Sequence, residues 1–204
     1  MTKDYASLGA DGMELQTSGS AAPGKNCEKC RAQLEEISQK IADAFHLENT
    51  PFFLQAIYND RDGVQVMEFA PRIAGGATYE IVRIVTGFDY LEASIKSFLH
   101  EPITVELHDD GKKYINGFVY MAPGIYDHVD GMEALLDAGE VVMYYPYSNA
   151  GKVISESLNT GNRLGSVMVC GDTYEEADAK LADVWNKVSV IDANGTDVSL
   201  WKRK

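Results

Sequence analysis

The chain has 204 residues, room for one large or two small domains, with 45% hydrophobic residues and a formal net charge of -13. That acidic balance argues against nucleic acid as a partner, because phosphate backbones are met by clustered Lys and Arg. No apolar run reaches membrane-spanning length, and "MTKDYASLGADG" lacks a basic-then-apolar leader, so the sequence reads as a soluble, cytoplasmic protein with no membrane partner.

In chain order, residues 1–26 read as short polar segments, with "SGSAAPGKN" a loop and Asn26 an N-cap. From Cys27 to Phe45 the apolar positions Cys30, Leu34, Ile37, Ile41 and Phe45 recur at helical spacing. The pair Cys27 and Cys30 opens this helix, where packing outweighs redox or zinc chemistry. A structural zinc wants four soft or imidazole ligands, and His46, His100, His108 and His128 show no paired spacing.

"PFFLQAI" and "VQVMEFA" then read as the two strands of a hairpin joined by "YNDRDG". A four-residue loop from Asp60 to Gly63 sets Asn59 opposite Val64, Ile57 opposite Val66 and Gln55 opposite Glu68. The last pair brings an amide oxygen and a carboxylate side by side on one face. Such hard oxygens suit magnesium, which completes its shell with water and phosphate. Arg72, four residues beyond Glu68, can grip phosphate or carboxylate bidentately. Gly75 and Gly76 leave backbone uncovered ahead of a helix start, a natural anion cradle. The plainer alternative makes Glu68 a solvent-facing residue paired with Arg72 and the glycines a turn.

A helix follows from Ala77 to Thr86, ended by Gly87. Asp89 with Glu92 resembles a capping box for a second helix through Leu99. Beyond Pro102 the pattern changes. "KYINGFVYMA", "GEVVMYYPYS" and "LGSVMVCGD" are β-rich, "GMEALLDAG" is a short helix, and "TYEEADAKLADVWNKV" carries Ala177, Leu181, Val184 and Val188 on one stripe. "DVSLW" reads as a last strand, the tyrosines Tyr144, Tyr145 and Tyr147 as core or interface, and His128 as a loop residue. The expected class is α+β, with domains at residues 1–102 and 103–204.

"VMEFAPRIAGG" resembles the metal-binding strand of the ATP-grasp superfamily, a Glu-x-Asn-x-Arg motif often followed by a glycine pair. Gln55 matches the ligand on the preceding strand in the carbamoyl-phosphate-synthetase-like branch. "EIVRIVTGFDYLEASI" matches the helix ending in TG-x-D, "TKDY" echoes an upstream element, and "NRLGSVMVCGDTYEEA" resembles the C-terminal domain of carboxylate–amine ligases. The resemblance implies the C-terminal portion of an ATP-grasp fold, an antiparallel sheet with helices, followed by a small α+β ligase module. It implies ATP and one or two magnesium ions held by Gln55 and Glu68, and catalysis assisted by Arg72. Gly75 and Gly76 would hold phosphate or substrate, while Ile57 and Met67, turned to the other face, would line the adenine slot. The substrates implied are a small-molecule carboxylate and an amine, and a homodimer is allowed.

Two departures accompany the match. Ala70 replaces the motif's Asn, which weakens a second magnesium. The lysines and hinge acid that hold nucleotide in full-length members have no counterpart in residues 1–50, where Lys3 and Lys25 are poorly placed. The expectation is a C-terminal fragment of a carbon–nitrogen ligase, inactive without an N-terminal half supplied in cis or trans. The alternative is a non-catalytic binding or assembly module derived from the same fold.

Overall fold

The computed structural model describes residues 1–7, 15–156 and 159–202. In chain order the elements are β1 (Thr2–Ser7), β2 (Leu15–Ala22), α1 (Cys27–Phe45), β3 (Phe53–Asn59), β4 (Gly63–Ala70), α2 (Thr78–Thr86) and α3 (Tyr90–Phe98). They continue with β5 (Lys113–Val119), β6 (Gly124–Asp130), α4 (Met132–Asp137), β7 (Met143–Pro146), β8 (Val153–Ile154), β9 (Gly165–Gly171), α5 (Tyr174–Lys187) and β10 (Ser189–Asp192). The class is α+β with antiparallel sheets, as the sequence predicts.

The chain divides into two compact units, Met1–Pro23 with Gly111–Lys204, and Gly24–Asp110. This differs from a division at residues 102 and 103. The first 23 residues join the C-terminal unit because β2 pairs with β5, with Gly19 opposite Gly117 and Ser20 opposite Asn116. "SGSAA", expected as a loop, is therefore strand. Its small polar residues carry no strand propensity, but Ser20, Ala21 and Ala22 are buried between two neighbouring strands. Gly19 is required there, since a Cβ would stand 2.5 Å from the Asn116 carbonyl oxygen.

The first unit is built on a five-stranded sheet of order β1-β2-β5-β9-β7, with β10-β6-β8 as a smaller one. Helix α5 covers one face of the larger sheet. Thr173 caps it by accepting from the Glu176 amide at 3.2 Å, and Ala177, Val184 and Val188 sink into a core with Ile115, Val119, Val167 and Val169. "GIYDHVDG", expected as a loop, forms β6 because β10 and β8 pair on its two sides; His128 lies on this strand, its Nδ1 2.7 Å from Asp127 Oδ2. "DVSLW" makes only isolated bridges before a short 3-10 helix, so β10 is the last strand. Arg203 and Lys204 lie outside the described residues, as do the side chains of Asp4 and Tyr5 in "TKDY".

Tyr144 packs against this core. Its hydroxyl is buried beside Tyr126 without the geometry of a hydrogen bond, and burial holds its phenol well above the ordinary tyrosine range. The folded chain therefore keeps a proton that the unfolded chain releases near about pH 10, so stability falls as pH rises past that value. Tyr126 and Tyr90 are raised by burial in the same sense. Tyr144→Phe is expected to flatten, not abolish, the alkaline fall in melting temperature; an unchanged slope contradicts the assignment.

In the second unit, α1 spans the predicted residues, but Asn26 makes no side-chain cap and only Cys30 of the apolar stripe is fully buried. The Cys30 thiol donates to the Asn26 carbonyl at 3.1 Å. Helices α2 and α3 end and begin where expected: Gly87 closes α2 in the left-handed region, and Asp89 accepts from the Glu92 amide at 2.8 Å.

Candidate functional site

The hairpin β3–β4 lies within the second unit, and α1 fixes it at both ends. At the turn, Asn59 Oδ1 accepts from the amides of Arg61 and Asp62 at 3.0 and 2.8 Å, an Asx turn that closes a three-residue loop. Gly63 follows with φ of 69°, so Asn59 faces Gly63 rather than Val64. Gln33 of α1 accepts from the Val64 amide at 3.2 Å, and Lys29 pairs with Asp60 at the same distance. At the far end, Phe69 meets Phe45 of α1 edge to face, with centroids 5.0 Å apart.

The shorter loop moves the register by one residue near the turn, setting Ile57 opposite Gln65 and Ala56 opposite Val66. A bulge at Met67 then restores it, and Gln55 faces Glu68 as the sequence predicts. Directly opposed residues share a face. Phe69 turns toward α1, so Glu68 turns away from it and is exposed.

The orientation expected for Ile57 and Met67 is corrected by the same geometry. Ile57 is two residues from Gln55 and so shares its face. Met67, displaced by the bulge, also comes to that side, with its sulfur 3.9 Å from Gln55 Nε2. Both are exposed, at 55% and 58%. The open face of the hairpin thus joins an amide and a carboxylate to two uncovered apolar side chains.

Glu68 has no ion-pair or hydrogen-bond partner for its carboxylate among the described residues, and it is not bonded to Arg72. Past the strand end, the Arg72 amide donates back to the Ala70 carbonyl at 2.9 Å, a tight turn at Pro71 that takes the chain off the sheet. The guanidinium lies 5.3 Å from the Phe53 ring centroid and donates from Nη1 to the Ile73 carbonyl at 2.8 Å. Phe53 was not singled out from sequence; its position opposite Ala70 is the signal that could have found it. Gly75 has nothing of the protein within 4 Å of a Cβ position, so packing does not explain it. Ala77, at the N-cap position of α2, offers no side-chain cap to the amides of the first turn.

The amide oxygen of Gln55 and the carboxylate of Glu68, directly opposed, are hard donors of the kind magnesium takes alongside water and phosphate oxygens. No group of three or more His, Cys, Asp or Glu able to hold a metal occurs among the described residues. Ala70, paired with Phe53, adds no donor.

The crystal structure of an L-amino acid ligase from Bacillus licheniformis matches 94% of this chain with a TM-score of 0.74 and 18% identity. The chain has the C-terminal half of an ATP-grasp fold. It covers 48% of that ligase, and 46% of phosphoribosylglycinamide synthetase from Anaerococcus prevotii, which matches 88% of this chain at 17% identity and a TM-score of 0.70. A third ATP-grasp structure is the biotin carboxylase domain of Hydrogenobacter thermophilus 2-oxoglutarate carboxylase, solved with magnesium ADP and bicarbonate. It matches 90% of this chain and is covered over 40% of its own, at 13% identity and a TM-score of 0.64. Residues 117–192 match the family described as L-amino acid ligase C-terminal domain 2. No curated protein matches the chain. The chain thus spans about half the length of the ATP-grasp structures it resembles. No helix among the described residues is long and apolar enough to cross a membrane.

Proposed function

We propose that this chain supplies the metal- and phosphate-holding half of an ATP-dependent carboxylate–amine ligase. The observation that carries the reading is the direct opposition of Gln55 and Glu68 on the open hairpin face. Gln55 and Glu68 would hold magnesium, which supplies charge neutralisation for the nucleotide phosphates. Arg72, already stacked on Phe53, would meet charge on the phosphate or the activated carboxylate. The start of α2 and the bare backbone at Gly75 and Gly76 would hold a further anionic oxygen. Ile57 and Met67 would cover one side of the base. The magnesium ADP in the Hydrogenobacter thermophilus structure supports this choice of ligand. One ion is proposed, since Ala70 gives a second no amide ligand.

The remaining nucleotide contacts would come from an N-terminal half, in cis or in trans, and the shares of related chains covered support this. The free thiols of Cys27, Cys30 and Cys170 support a cytoplasmic setting. Ala70 also favours a second reading, a module that kept the fold without turnover.

The test is an ADP-release assay with carboxylate and amine substrates, run on the chain joined to a cognate N-terminal half. Activity should need magnesium, vanish with a chelator, and fall about 10²-fold or more in Glu68→Ala. An unchanged rate in that variant would remove Glu68 from the site. No turnover, with magnesium nucleotide still bound, would favour the module.

A further inference from the structure

Cys27 and Cys30 stand one turn apart at the start of α1, and the ligase reading uses neither. Helix-start packing, expected of both from sequence, holds for Cys30 alone, which is 8% exposed. Cys27 is half-exposed, so burial does not account for it. The two sulfurs also meet different partners. Cys30 donates its S–H to the Asn26 carbonyl at 3.1 Å, with the Cys27 carbonyl 3.7 Å away. Cys27 Sγ instead accepts from Arg31 Nη2 at 3.7 Å, and Nη2 also donates to Glu28 at 3.1 Å. One thiol of the pair is thus reachable and set beside a cation, the setting of a sulfur that attacks, while the other is shielded.

The spacing lets the two sulfurs join. Three residues along an α-helix separate Cα atoms by about 5 Å, inside the roughly 4.4–6.8 Å that a disulfide spans. The side chains must still draw together, and the first turn is where a helix yields most readily, because its amides lie ahead of the intrahelical ladder. Here the amides of Lys29 and Cys30 share the Asn26 carbonyl, at 3.1 and 3.2 Å, and the Cys27 amide is tied outside the helix, to the Gly24 carbonyl at 2.8 Å. Cys170, on β9, belongs to the other compact unit and has no second cysteine in it.

We propose that Cys27 and Cys30 are a reversible dithiol–disulfide pair that reacts with low-molecular-weight disulfides, Cys27 attacking and Cys30 resolving. Cys27 gives up its proton and its sulfur attacks one sulfur of the reagent. A mixed disulfide forms at Cys27, the reagent's S–S bond breaks, and the released thiolate takes the proton. Cys30 then gives up its proton and attacks Cys27 Sγ. The internal disulfide forms, the mixed disulfide breaks, and the second reagent thiol leaves protonated. In balance, two protein thiols are oxidised to one disulfide and one reagent disulfide is reduced to two thiols. Transient, redox-responsive disulfides of this kind occur in reducing compartments. The pair stands apart from the ligase reading and does not depend on it.

The test exposes the folded full chain to glutathione disulfide, traps remaining thiols with an alkylating agent, and follows intact and peptide masses. The peptide holding Cys27 and Cys30 should become lighter by one pair of hydrogens, carry no glutathione, and return to the dithiol when a reductant is added. Cys30→Ser should stop at a stable glutathione adduct on Cys27. Cys27→Ser should leave Cys30 unmodified in the folded chain and reactive in denaturant, which shows that the fold sets the order of attack. No reaction at either thiol, a glutathione adduct that persists on wild-type Cys27, a disulfide that links Cys170 instead, or a Cys30 in folded Cys27→Ser that reacts as fast as wild-type Cys27 would each overturn the proposal.

Discussion

Arg72→Ala is expected to slow the phosphate-dependent step by about 10³-fold in the completed enzyme, on the scale of an arginine that meets transferring phosphate. Arg72 is exposed and, among the described residues, without an ion-pair partner; its guanidinium meets the Phe53 ring and the Ile73 carbonyl. The stacking contact contributes on the order of 0.5–1 kcal/mol at such a site, so the melting temperature should hardly move. The loss should therefore appear in turnover, with nucleotide affinity changed much less. Arg72→Lys should recover part of the rate, since charge returns without the two-pronged donor. Single-turnover measurement of ADP formation checks this. A rate within a few-fold of wild type would remove Arg72 from the chemistry, and a large drop in melting temperature would make its role structural.

Gly19→Ala should destabilise the chain by about 2 kcal/mol or more. The added Cβ would stand 2.5 Å from the Asn116 carbonyl oxygen, which is backbone within a paired strand and cannot swing aside. Relief requires β2 to part from β5, which would uncover Ala21 and Ser20. The control is Gly75→Ala, where a Cβ meets nothing within 4 Å and stability should be unaffected. Denaturant midpoints compare the two directly. Equal midpoints would mean that β2 is not held in the sheet as described.

The fate of "SGSAA" shows where sequence stopped being legible. A strand of Ser, Gly and Ala has no periodic apolar signal; it is a strand because β1 and β5 bond it on both sides. β6 was hidden for the same reason, with His128 reading as a loop residue. Elements with local cause were clear: α5 has its cap and stripe, and α3 its Asp89 cap. The hairpin lies between these cases. Its turn was placed one residue long, and the bulge at Met67 supplies the missing residue, so Gln55 meets Glu68 by a different path from the one the pattern gives. That bulge also brings Met67 to the side of Gln55, which strict alternation cannot foresee.

In the proposed ligase the open hairpin face holds the metal of a magnesium nucleotide. Manganese takes the same oxygen ligands and broadens the signals of nearby nuclei. Adding it with ATP to the isotope-labelled chain, alone and joined to an N-terminal half, measures the site directly. Selective broadening of the Gln55 and Glu68 signals is expected, with Met67 and Arg72 close behind, and loss of the effect in Glu68→Ala. Uniform broadening over the acidic surface, or a pattern unchanged by Glu68→Ala, would contradict it.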